Sequence, residues 1–97
     1  MLTMLDAATR EFLEKTIDEA KAAIPDRLIE ARELTKVMFI QNSEDYTLGW
    51  AVGYVVGAFI SFFTAAYLRR PDEQQLKEVH EVINNRAAEL RKTIFKT

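Results

Sequence analysis

The chain has no cysteine, so it carries neither a disulfide framework nor a thiolate metal site, and its composition is silent on redox compartment. Glycine and proline are scarce, three and two in 97 residues, too few for the turns of a β domain; long helices with short connections remain. An excess of one charge is also missing. With 13 basic and 15 acidic side chains the formal charge is -2, which offers no electrostatic footprint for nucleic acid and is too balanced for a disordered acidic tail. No glycine-rich phosphate loop, His-Glu zinc signature or calcium loop occurs. The first residues include Asp6 and Arg10 and lack the apolar core of a cleavable signal, which leaves a cytoplasmic location as the expectation. What is present is 48% apolar and 29% charged side chains, enough for one all-α domain over residues 1–97.

Four helices are expected, over about 4–24, 26–41, 44–70 and 72–95. In the first, Leu5, Ala8, Phe12, Ile17, Ala20 and Ile24 form an apolar stripe between charges, with the start at Thr3 or Asp6. Pro25 followed by Asp26 reads as a new helix start, because proline costs little in a first turn and about 3 kcal/mol in an interior; a single kinked helix is the alternative. Asn42 or Ser43 ahead of Glu44 and Asp45 caps the third helix. Pro71-Asp72-Glu73 starts the fourth, whose stripe is Leu76, Val79, Ile83, Ala87, Leu90 and Ile94, with Asn84, Asn85, Arg86 and Glu89 facing water.

The run from Tyr46 to Leu68 has no charge in 23 residues, which by length alone qualifies as a membrane span. Tyr46, Trp50 and Tyr67 sit where aromatic belts do, but the basic residues at its two ends specify orientation poorly. Around the helix, Leu48, Val52, Val55, Val56, Phe59, Phe62 and Phe63 gather on one side. Thr47, Tyr54, Ser61, Thr64 and the small Ala51, Gly57, Ala58 and Ala65 gather opposite. The amphipathic helices before and after it need an apolar surface, and burying their stripes gains roughly 25 cal/mol per Å2. A soluble antiparallel bundle, with this helix at the centre and covered on all sides, is therefore the main reading. A small single-pass membrane-anchored protein with residues 46–68 as the span is the alternative.

Gly49, Gly53 and Gly57 recur every fourth residue and continue into Ser61 and Ala65. Each interior glycine costs roughly 1 kcal/mol relative to alanine, and close approach of another backbone is the compensation such ridges allow. That backbone belongs either to a helix of the same chain or to a second copy crossing through Gly49, Gly53, Gly57, Ser61, Ala65, Trp50 and Tyr54; a ligand cleft over the ridge is the third alternative. The self-associating reading makes the protein a homodimer. On either reading Gly53→Leu is expected to force packed helices apart at a cost of several kcal/mol.

Catalytic chemistry finds little support. His80 is the lone histidine, at the edge of the last stripe, and positions three and four away hold Leu76, Lys77, Ile83 and Asn84, with no carboxylate. Glu11, Glu14, Asp18 and Glu19 are interleaved with Lys15 and Lys21 as a solvated outer face. Arg86, Arg91, Lys92 and Lys96 make the C-terminal turns mildly basic, as a helix dipole favours. The expectation is a non-enzymatic helical adaptor or regulatory subunit without cofactor or metal, self-associating through its uncharged helix and open to a protein partner.

Overall fold

The structure, a computed structural model, describes residues 5–96 and is helical throughout, with no strand among them. Four helices follow one another: α1 Ala7–Met38, α2 Ser43–Tyr67, α3 Glu73–Asn85 and α4 Ala87–Lys96. Asp6 caps α1 by accepting from the Thr9 amide. Of the two expected starts, Thr3 lies outside the described residues, as does Met4. Asn42 caps α2, and Asp72 with Gln75 forms a reciprocal capping box on α3.

Two expected boundaries are corrected. Pro25 does not start a helix; it lies inside α1, which runs unbroken for 32 residues. The missing amide at Pro25 is offset by packing on both sides of it, since Leu13, Ile17, Ala20, Ile24, Leu28 and Ala31 are all fully buried and stay in phase across the proline. The last helix is instead divided. Arg86 leaves helical geometry with φ -110° and ψ 5°, its amide turning to the Ile83 carbonyl at 3.0 Å. Its guanidinium does not face water. It donates to the Glu14 carbonyl at 3.1 Å, to Asp18 and to Glu89, and so anchors the α3–α4 junction to α1. Glu14 and Asp18 are to that extent fastened rather than freely solvated.

α1 and α2 pack antiparallel. Phe12 stacks on Phe62 with ring centres 4.1 Å apart, Arg27 lies over Trp50, and Arg32 reaches Glu44 at 3.7 Å. α3 and α4 run beside α1 in its own direction, with Glu78 against Leu5 and Arg10, and Lys21 3.8 Å from Glu89. Three rods result, and α1 touches both of the others. The rise of a 32-residue helix, about 48 Å, matches the longest dimension of 47 Å.

α2 is not covered on all sides as expected; α1 is the more enclosed helix. α2 buries one stripe: Thr47, Ala51, Val55, Phe59 and Phe63. Thr47 and Ala51, expected on the opposite side, are fully buried. Their small size permits a close approach to α1, and the Thr47 hydroxyl is satisfied by donating to the Ser43 carbonyl at 2.7 Å.

Candidate interaction surface

A helix places successive residues about 100° apart. Taking Val55 as the centre of the buried stripe, Tyr46, Trp50, Gly53, Gly57, Ile60 and Thr64 fall within about 40° of the opposite direction. Of these, Tyr46, Gly53, Gly57 and Thr64 are exposed, whereas Trp50 and Ile60 are half-buried and pack against the core. Gly49 and Ser61 are exposed as well and complete the free line, while Ala65 lies about 100° from its centre, so the ridge of small residues crosses the face obliquely. Gly49, Gly53, Gly57, Ser61 and Ala65 are all exposed, Tyr54 is 41% exposed and Trp50 is half-buried. Six of the seven residues singled out in the sequence are thus exposed on α2, and Trp50 is half-buried against the core.

Among the described residues no other helix comes near the glycines. A Cβ built on Gly49, Gly53 or Gly57 meets no atom within 4 Å. The ridge therefore does not receive another helix of its own protomer, and the intramolecular explanation for it fails. The exposed face has no charge from Tyr46 to Leu68. By length and composition α2 could cross a membrane, and only 22% of its most apolar stretch is buried.

The rim of the face is held in place by specific contacts. Trp50 is fixed between Tyr54, with ring centres 5.4 Å apart, and the Arg27 guanidinium, 5.7 Å from its ring. The Tyr54 hydroxyl donates to Glu19 at 3.5 Å. At the other end Tyr67 donates to Asp6 and lies 3.3 Å from the Thr9 hydroxyl. The Tyr67 hydrogen bond, aided by the Thr9 amide, holds the Asp6 carboxyl below its ordinary value of 3.8. Arg86 is lowered by burial but raised more by Asp18 and Glu89 together, and its net shift is upward. No family model matches the chain, and no curated protein or solved structure matches it.

Sequence reasoning missed the special ends of the long helices. Phe39 and Leu68 cap α1 and α2 in the left-handed region, at φ 55° and 56°, where glycine is the inexpensive choice. Both keep large apolar side chains in solvent, 85% and 89% exposed. Leu68 continues the apolar edge of the α2 face. Phe39 joins Val37 and Met38, all exposed, at the connection between α1 and α2.

Other chemistry gathers nowhere comparable. His80 is exposed on α3, and among the described residues no three His, Asp or Glu side chains converge as a metal site. A cavity beside Arg27, Tyr46 and Trp50 measures about 70 Å3, room for water and far below the several hundred Å3 of a cofactor pocket.

Proposed function

We propose that this protein is a small non-enzymatic interaction module, a cytoplasmic helical adaptor or regulatory subunit that self-associates through the outer face of α2. The observation that carries this reading is the open space over Gly49, Gly53 and Gly57 on a charge-free helix face. Three interior glycines cost roughly 3 kcal/mol in helix propensity, and among the described residues none packs over them to offset it. Backbone contact with a second helix does.

The shape of the molecule agrees. The radius of gyration is 14.7 Å, against about 12.5 Å for a compact domain of this length. The accessible surface is 6460 Å2, several hundred Å2 beyond the roughly 5700 Å2 usual at this mass. One partner in a standard interface buries about 800 Å2, so a second copy covers a surplus of that order.

The apolarity of α2 also favours a second reading, a membrane anchor. In the folded bundle, however, a spanning α2 draws α1 into the hydrocarbon with it, including the exposed Glu11, Lys15, Asp18 and Glu19. Each such charge costs about 3 kcal/mol or more at the bilayer centre. Spanning requires the bundle to come apart; pairing leaves it intact.

The test is Gly53→Leu, read by circular dichroism and light scattering. Because space is open above Gly53, the variant keeps its helical content and cooperative unfolding, and the several-kcal/mol loss falls on assembly instead of on the protomer. Its mass drops from near twice 11.2 kDa to 11.2 kDa. A dimer that persists in this variant overturns the proposed surface.

A further inference from the structure

We propose that the cavity where α1 begins, α2 ends and α3 begins binds a small α-amino acid, with Arg69 and Gln75 taking its carboxylate and Asp6 its ammonium group. The site is separate from the glycines of α2 and does not depend on self-association. The cavity measures about 100 Å3. A space of about 150 Å3 takes benzene, with its six heavy atoms, so an occupant the size of glycine matches this one.

The floor of the cavity is polar. Among the described residues the buried polar side chains are Thr9, Thr16, Thr47 and Gln75. Thr16 and Thr47 each donate at 2.7 Å to the carbonyl four residues back in their own helix. Thr9 and Gln75 instead both line this cavity, beside the apolar Leu5 and Phe63. The Thr9 hydroxyl lies 3.3 Å from that of Tyr67. Gln75 is only 6% exposed, and its Oε1 accepts from the Asp72 amide at 2.9 Å and from Arg69 at 3.4 Å. Its Nε2 donates to no atom among the described residues. A buried amide donor without an acceptor is costly, and the cavity that Gln75 lines is where an acceptor can stand.

Charges of both signs stand at the rim. Arg69 is steadied by the Phe63 ring, 5.0 Å from its centre, and its Nη1 donates to the Gln75 side chain and the Arg70 carbonyl. No carboxylate among the described residues lies within ion-pair distance of it. Its remaining donors keep the fork geometry that a carboxylate accepts. Asp6 comes from the α1 side. One of its oxygens accepts from the Thr9 amide and the other from the Tyr67 hydroxyl, which also keeps the carboxyl charged by lowering its pKa. Each oxygen retains a lone pair for a further donor. A ligand with a carboxylate alone meets Asp6 as a like charge, and one with an amine alone meets Arg69 so. A molecule carrying both groups a short distance apart suits both, and an α-amino acid is the smallest of that kind.

The test is a titration of the wild-type chain with glycine near neutral pH, followed by amide chemical shifts, with acetate and methylamine titrated in parallel. The expected result is saturating shifts at Thr9, Arg69 and Gln75 with a glycine dissociation constant of about 1 mM, within the efficiency open to five heavy atoms. Acetate and methylamine bind at least about tenfold more weakly. Arg69→Gln changes an exposed side chain, and Asp6→Asn keeps a capping residue, so both variants retain the folded spectrum. Each weakens glycine by about tenfold or more. Asp6→Asn also binds acetate more tightly than the wild type does, because a like charge is gone. Shifts that grow without saturating overturn the proposal, as does acetate saturating in the same range as glycine. Glycine affinity unchanged in both variants overturns it as well.

Discussion

At the scale of single residues, the Asp6, Thr9 and Tyr67 cluster fastens the start of α1 to the end of α2, and it has a consequence in acid. Asp6 is depressed chiefly by the Tyr67 hydroxyl, so the folded state binds its proton less readily than the unfolded chain. The stabilisation is present above the ordinary carboxyl value of 3.8 and is lost as pH falls through the lower folded value. Urea midpoints measured from pH 6 to 2 should therefore show Tyr67→Phe below the wild type near neutrality, with the gap closing below about pH 4. Acid limbs that stay parallel would remove this role from Tyr67. None of the cluster was legible in the sequence beyond Asp6 as one candidate cap, because residues 61 positions apart meet only after the hairpin forms.

At the scale of the helix, the contrast between Pro25 and Arg86 shows where local signals mislead. Proline next to aspartate reads as a boundary, but the stripe Ile17, Ala20, Ile24, Leu28 and Ala31 keeps its 3-4 spacing across the proline, and burial of that stripe outweighs one lost hydrogen bond. The phase of the stripe was the stronger signal. If α1 is continuous, Pro25→Ala restores the amide donor and should raise stability by about 1–2 kcal/mol in chemical denaturation, the interior proline cost less the entropy that proline removes from the unfolded chain. A neutral or destabilising result would fit a proline in a first turn and contradict the long helix. Arg86 gives the opposite lesson: a regular apolar stripe concealed a break. Its cause is a guanidinium drawn to Glu14 and Asp18 of α1, a contact that periodicity within one helix does not encode.

At the scale of the whole molecule, an all-helical architecture was legible from composition and stripe spacing, and so was the peculiarity of residues 46–68. What the sequence left open was which side of α2 is covered. Thr47 and Ala51 appear polar or small and lie in the core; Trp50 and Ile60 appear apolar and rim the free face. Close packing against α1 explains this inversion, for small residues permit the tightest approach. The glycines were recognised as a ridge, but only the fold shows that the protomer leaves them bare. An elongated body with a charge-free flank is the form expected of half an assembly. The most direct measurement is the mass of the wild-type chain, purified without detergent, by size exclusion with light scattering. The account predicts a homogeneous species near twice 11.2 kDa; a stable monomer at 11.2 kDa, or recovery from the membrane fraction alone, would contradict it.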